Sequence, residues 1–401
     1  MDFDVLRKLR DVNKSKIVYL VMDGLGGLPL EPGGQTELES AHTPNLDKLA
    51  SEAVTGLHQA IGPGITPGSG PAHLALFGYD PLKYTVGRGV LSALGIDFDL
   101  QPGDVAARGN FCTVDENGVV TDRRAGRIST EENIKRLELM KDITLPGVEV
   151  HLRPVKEYRF LLVLRGEGLD GALADTDPQD VGEKPLPARA LQPAAQKTAK
   201  LVDNFVAQAG KALAGHEPAN MVLLRGFAQR PNWPTLEDIY GIRSIAIAAY
   251  PMYRGVARLL GMQCIAAADS LEQEIDMLEQ HWEDYDFFFV HAKKIDSYGE
   301  DGNFQAKAQV IEQVDALIPR IRALNPDVII VTGDHSTPAA MKRHSWHPVP
   351  VLLWSRVCRP DNVTQFGERA LTQGGLGPRI PAIELMPLAM ANAQRFDKYG
   401  A

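Results

Sequence analysis

Along the chain, unbroken apolar runs alternate with segments whose apolar positions recur at helical spacing. The runs "IVYLVMD" (17–23), "SIAIAAY" (244–250), "DFFFVHAK" (286–293), "DVIIVTGDH" (327–335) and "VPVLLWS" (349–355) are rich in Val, Ile and Phe. They predict short strands of a parallel sheet covered on both faces, where no polar alternation is needed. Between them, "TPNLDKLASEA" (43–53) places Thr43 at a helix cap and Pro44 at the first helical position, and "NFQAKAQVIEQVDALIPRIRAL" (303–324) reads as one long helix. Strands alternating with helices imply an α/β domain.

From about 87 to 217 the texture changes. "VAARGNFCTV", "GVVTDRRAGRI", "VEVHLRPV" and "YRFLLVLRG" predict shorter, more polar, partly antiparallel strands, with a long helix near "PAAQKTAKLVDNFVAQAGKALAG". This predicts an inserted α+β domain at 87–217 within a discontinuous domain at 1–86 and 218–401, the crossings falling in the turn-rich "DPLKYTVGRG" and "AGHEPAN". At 401 residues the chain exceeds what one compact domain usually holds.

Charge narrows the function. With 42 basic against 51 acidic residues, net -9, neither a nucleic-acid surface nor a polybasic membrane patch is expected. A small anionic substrate fits, since a few arginines set the field in a cleft. Three scattered cysteines, Cys112, Cys264 and Cys358, form neither a disulfide framework nor a zinc spacing, and no apolar run approaches a membrane span. A cytoplasmic protein is expected. The sequence is compatible with association of identical copies and does not specify it.

Candidate chemistry collects where the strands end, the edge at which ligands bind in open α/β sheets. Asp23 closes the first strand ahead of "GLGG"; Asp334 and His335 close "VIIVTG"; Asp296 and Glu300 follow "FFFVHA"; His344 precedes the last strong strand. Each has a plain reading as turn, loop or structural histidine. Together they suffice for two divalent cations. In "TPGSGPAH", Ser69 taken alone reads as a helix cap. Beside such cations its hydroxyl becomes a competent nucleophile near neutral pH, and the following helix offers N–H groups and its dipole to a phosphate. The nucleophile is then the favoured reading, with a cap role compatible.

In these stretches, and in "VMDGLGG", "AHTPNLDKLA", "PGSGPAHLALFGYDP", "GRGVLSALG", "GDVAARGNF", "TDRRAGRI", "DTDP", "VHAKKIDSYGEDG" and "VTGDHSTP…HSWHPVPVLL", the chain resembles the cofactor-independent phosphoglycerate mutases, in the shorter archaeal-type form. The match is ordered and spans nearly the whole chain. The resemblance implies an alkaline-phosphatase-like, mostly parallel sheet flanked by helices, and interconversion of 3-phosphoglycerate and 2-phosphoglycerate through a phosphoserine. It implies two divalent metals and no bisphosphoglycerate; with Glu300 as a hard oxygen ligand the site is expected to lean toward Mn²⁺ or Mg²⁺ rather than Zn²⁺. By motif, Asp23, Ser69, Asp334 and His335 would bind one metal, and Asp296, Glu300 and His344 the other. Glu300 departs from the histidine many relatives carry there; it is still a hard oxygen ligand, and His347 is the competing imidazole.

A mutase must also retain glycerate between two transfers while excluding water. Arginine forks suit its carboxylate and phosphate. The insert offers Arg108, Arg123, Arg124, Arg127 and Arg165, with Arg225 near the return crossing. Asp122 is a candidate proton relay, with a salt bridge to its neighbours as the alternative, Lys293 a candidate to neutralise the phosphoryl group, and His73 a candidate substrate contact. The nearest other activity is a different phosphomutase or a phosphohydrolase of the alkaline phosphatase superfamily.

Overall fold

The computed structural model describes residues 2–265 and 270–400. The chain forms two compact units, Met1–Thr85 with Trp233–Ala401, and Val86–Asn232. The return crossing thus falls 15 residues beyond the expected 217/218 boundary. The reason is β7 (Met221–Ala228), which pairs antiparallel with β3 (Val105–Val114) and belongs to the insert's sheet.

Among the described residues, the first unit is built on eight strands: β1 (Ile17–Met22), β2 (Val54–Gln59), β8 (Ser244–Ala248), β9 (Gln263–Ile265), β10 (Phe287–Ala292), β11 (Val328–Thr332), β12 (Val349–Ser355) and β13 (Gly377–Pro381). Their order is β13-β2-β12-β11-β1-β10-β8-β9. The five apolar runs became β1, β8, β10, β11 and β12. Strands β11, β1, β10, β8 and β9 are parallel. β12 is the exception: it runs antiparallel to both β11 and β2. Reversal places the residues that precede β12 at the edge where the parallel strands end.

Both faces are covered. Val18, Leu20 and Met22 of β1 face a core shared with Leu46 and Leu49 of the helix Pro44–Ser51 and with Ile311 and Val314 of the helix Phe304–Asp315. The opposite face is aromatic: Phe77, at the end of the helix Ser69–Leu76, meets Phe289 at 5.1 Å and Phe287 at 6.1 Å between ring centroids. The stretch 303–324 is two helices, Phe304–Asp315 and Ile318–Ala323. Pro319, lacking an N–H, cannot continue the first and sits in the first turn of the second. Thr43 occupies its cap position, but its side chain makes no cap hydrogen bond.

The second unit is an α+β body. β4 (Val120–Asp122), β5 (Glu149–Lys156) and β6 (Arg159–Arg165) join β3 and β7 in an antiparallel sheet, with a core that includes the helix Gln196–Leu213. Among the described residues, no helix is long and apolar enough to cross a membrane.

Candidate active site

Asp23 follows β1 directly, and Asp334 and His335 follow β11 after one glycine; all three are fully buried. Asp296 lies in the first turn of the helix Lys294–Asp301, three residues after Lys293, which holds the cap position. His344 lies on the connection into β12 and reaches the same edge because that strand is reversed. The turn "DGLGG" can lie on residue 336 because position 26 lacks a side chain: a Cβ on Gly26 would stand 1.9 Å from Ser336 Oγ. Likewise a Cβ on Gly299 would stand 2.2 Å from the Thr337 carbonyl oxygen, so the helix bearing Asp296 and Glu300 sits directly on the loop bearing His335.

The ligand-type side chains converge in two groups, Asp23 with Asp334 and His335, and Asp296 with His335 and His344. His335 is common to both, whereas the sequence assigned it to the first alone. Ser69 is half-buried and is the first residue of its helix; Gly68 holds the cap position, so the expected cap role is replaced. The serine hydroxyl lies 3.1 Å from His335 Nε2.

Hydrogen bonding fixes which imidazole nitrogens carry lone pairs. Thr337 Oγ1 spends its proton on Asp296 Oδ1 at 2.7 Å, so at 3.0 Å from His335 Nδ1 it accepts. His335 is thereby protonated at Nδ1 and bare at Nε2. The same logic applies to His344, whose Nδ1 lies 2.9 Å from the Pro67 carbonyl oxygen. The bare Nε2 of His335 then faces Asp334 Oδ2 at 3.2 Å and Asp23 Oδ1 at 3.5 Å. That of His344 faces Asp296 Oδ1 at 3.5 Å and Glu300 Oε1 at 3.9 Å. Acceptors facing acceptors repel unless a cation lies between them. Asp23 Oδ1 and Asp334 Oδ2, moreover, are buried with no hydrogen-bond partner among the described residues. The donor set therefore fits divalent cations.

Burial and neighbouring charge drive these groups in different directions. Burial lowers the His335 pKa to about 4 and keeps the ring neutral. Burial, reinforced by the neighbouring Asp334, pushes Asp23 well above the usual carboxylate range. Asp334 is driven the other way: burial would raise it, but His335 and His73 outweigh that and hold it well below. Lys293 Nζ lies 3.0 Å from Asp23 Oδ2 and also donates to Asp296 Oδ2. Although burial opposes its charge, these acids raise its pKa well above normal.

Three expected residues are not members of these groups. Glu300 is exposed, with Oε1 3.9 Å from His344 Nε2. His347 hydrogen-bonds Ser345 Oγ at 2.9 Å and stacks on Trp346. His73, expected to touch substrate, is fully buried: its Nδ1 donates to the Ser69 carbonyl at 2.8 Å and lies 3.3 Å from Asp334 Oδ2. Two residues that sequence reasoning missed support Asp23: Tyr253, whose hydroxyl donates to Asp23 Oδ2, and His291, 3.5 Å from the same oxygen. His291 sits in the quoted run "FFFVHA", where a lone polar residue in a buried strand was the available signal.

In the second unit the arginines divide. Arg123 grips the buried Asp177 through Nε at 3.0 Å and Nη2 at 2.8 Å. Arg225 Nε lies 3.4 Å from Asp175 and 3.5 Å from Asp177, and Arg108 stands opposite it in the β3–β7 register. Both acids come from "DTDP", a stretch used for the family resemblance but assigned no role. Arg124 and Arg127 are exposed on the turn after β4. Asp122 accepts from the N–H groups of Arg124 at 2.8 Å and Gly126 at 2.6 Å, so its carboxylate holds that turn instead of pairing with a guanidinium. Arg165 is separated from the others. It lies four residues along β6 from Leu161, the partner of Arg108, about 13 Å at strand rise. There it pairs with Asp104 at 2.7 Å and lines a 510 Å³ cavity with His151 and Arg153.

Comparison with known proteins gives the same picture. A family model described as 2,3-bisphosphoglycerate-independent phosphoglycerate mutase matches residues 50–219. A probable enzyme of that name from Thermus thermophilus is 50% identical over 404 residues, covering 100% of this chain and 99% of the relative. One from Aquifex aeolicus is 50% identical over 411 residues, covering 99% and 100%. Among solved structures, a protein from Pyrococcus horikoshii aligns with TM-score 0.81 at 30% identity, covering 97% of this chain and all of that one. The cofactor-independent phosphoglycerate mutase from Thermoplasma acidophilum aligns with TM-score 0.68 at 28% identity, covering 94% and 100%.

Proposed function

The chain belongs to the 2,3-bisphosphoglycerate-independent phosphoglycerate mutases, and from that premise we propose that Ser69 carries the phosphoryl group between the two hydroxyls of one glycerate. The observation that carries this reading is the Ser69 hydroxyl 3.1 Å from a bare imidazole nitrogen that also faces two buried carboxylates. Asp23, Ser69, Asp334 and His335 would hold one divalent cation and Asp296, His344 and Glu300 a second, with Mn²⁺ or Mg²⁺ preferred by the oxygen-rich donors. Such cations, when bound, lower the pKa of the serine hydroxyl and neutralise charge on the transferring oxygens.

The remaining work falls to the chain's own groups. Ser69 Oγ forms a bond to phosphorus as the bond to the glycerate 3-oxygen breaks, and the phosphoserine is then attacked by the 2-oxygen, which regenerates the serine. The N–H groups opening the helix Ser69–Leu76 and the Lys293 ammonium face the phosphoryl charge. Arg108, Arg123 and Arg225, joined by Arg124 and Arg127, hold the carboxylate and phosphate of the acid. Each Asp122 oxygen takes one backbone N–H and keeps acceptor capacity, so it moves the proton that one glycerate oxygen gains and the other loses.

The test is to strip the protein with a chelator, confirm metal loss by elemental analysis, and follow 2-phosphoglycerate and inorganic phosphate together. The stripped protein should be inactive and Mn²⁺ should restore it, while Ser69→Ala should stay inactive with Mn²⁺ present. Full activity of the stripped protein would remove the cations from the scheme. Appreciable mutase activity of Ser69→Ala would remove the serine.

A further inference from the structure

Lys307 is a buried charge that this scheme leaves unused. On the helix Phe304–Asp315 it occupies the core-facing stripe with Ala308, Ile311 and Val314, and it is fully buried. Its ammonium donates to the Gly26 carbonyl at 3.0 Å and the Thr337 carbonyl at 2.9 Å. These carbonyls belong to different loops: residues 23–27 begin with Asp23, and residues 333–338 contain Asp334 and His335. Its counter-ion is Glu37, also fully buried, with Oε1 at 3.7 Å. Glu37 in turn accepts from the N–H of Leu28 at 3.1 Å and of Ala339 at 2.7 Å, one residue beyond each of those loops.

The ion pair therefore fastens the same two loops twice, through carbonyls to the lysine and through N–H groups to the glutamate. Thr337 transmits the constraint, because its hydroxyl orders Asp296 and His335 while Lys307 holds its carbonyl. A buried ion pair is often replaceable by apolar groups of similar volume at little cost. Removing the donors, however, would free two carbonyls, one on the loop that carries Asp23 and one on the loop that carries Asp334.

We propose that Lys307, with Glu37 as its counter-ion, is a positioning residue that fixes the separation of the two ligand-bearing loops; this rests on reading Asp23, Asp334 and His335 as metal ligands. The experiment measures Mn²⁺ binding by equilibrium dialysis and the melting temperature of the metal-free protein. It compares the parent, Asp334→Asn, Lys307→Met and the double variant Lys307→Met with Glu37→Gln. The double variant, left with no buried charge at the pair, should melt within a few degrees of the parent yet bind Mn²⁺ about 10–100-fold more weakly. Lys307→Met alone should show the same loss of affinity at a lower melting temperature, because Glu37 is left unpaired; if it fails to fold, the double variant decides. Unchanged affinity in the folded double variant would overturn the proposal while leaving the ligand reading intact. So would an affinity loss accompanied by a large fall in its metal-free melting temperature, since the lysine would then serve the fold at large. Mn²⁺ binding by Asp334→Asn equal to the parent's, or none by the parent, would instead overturn the ligand reading and this proposal with it.

Discussion

At the scale of single residues, buried polar groups are informative because each must answer for its desolvation. Around Ser69 the answer is mutual ligation-type geometry. Elsewhere it is absent, as at Glu274, which is 4% exposed in the helix Leu271–Gln280 with Oε2 unpartnered among the described residues. Burial raises its pKa to about 9, with Lys294 opposing only in part. The folded chain therefore holds this proton more tightly than the unfolded one. Its contribution to stability is fully present below the ordinary value of 4.5 and is lost as pH rises toward 9. Glu274→Gln should be indistinguishable from the parent near pH 4 and more stable at pH 8, by about 1–3 kcal/mol, the usual cost of a buried unsatisfied group. Melting temperatures across that range check this, and parallel curves for the two proteins would refute it. Residue chemistry was partly legible in the sequence. Asp23, Asp296, Asp334, His335 and His344 announced themselves by standing at strand ends. Thr337 and Lys307 did not, since what they do depends on carbonyls and hydroxyls brought together from distant segments, although a lysine in an apolar helical stripe was a visible anomaly.

Elements position these residues through contacts that leave no room for side chains. The helix Lys294–Asp301 meets the loop after β11 at Gly299, and a methyl there would stand 2.2 Å from a backbone oxygen that has no freedom to retreat, being held by Lys307. Gly299→Ala should displace the helix, separating Asp296 from His335 and His344. The expected outcome is a lower melting temperature, equivalent to about 1–3 kcal/mol of overpacking, together with weaker Mn²⁺ binding. Gly62→Ala, where the added methyl would meet only Ile65 at 3.6 Å, is the control and should change neither. If Gly299→Ala binds Mn²⁺ as the parent does, the helix is not what places Asp296. The elements themselves were readable in proportion to burial. β1, β8, β10, β11 and β12 are fully or almost fully buried, and continuous apolar runs marked them. β9 and β13 are edge strands with exposed residues, and β13 carries two prolines within "GPRIP"; neither shows a period of its own. β2 was hidden because its buried positions include Thr55 and His58, the latter bonded to the Gly333 carbonyl at 2.9 Å. Strand direction was illegible too: nothing in "VPVLLWS" says it is antiparallel, yet its reversal brings His344 to the site.

At the scale of the whole molecule, the proposed reaction differs from hydrolysis only in keeping its intermediate. The serine and the ligand-type residues belong to the first unit, and the arginines to the second. If Arg123 and Arg124 hold glycerate through both transfers, replacing them with glutamine should spare formation of phosphoserine more than its discharge onto the 2-oxygen. Glycerate would then leave before it is rephosphorylated, and water would become the remaining acceptor. The ratio of inorganic phosphate to 2-phosphoglycerate should rise above the parent's while total turnover falls. The pairing found for Arg123 sharpens the comparison: Asp177 is fully buried on its side-chain oxygens and would lose its bidentate partner, whereas Arg124 is exposed. Arg123→Gln should thus lower the melting temperature as well as the mutase rate, and Arg124→Gln should change the product ratio without that loss. A variant pair in which both products decline in equal proportion would assign these arginines to substrate entry or folding. If neither declines, the acid is held by Arg108 and Arg225, which share a β3–β7 register position and would be the next substituted.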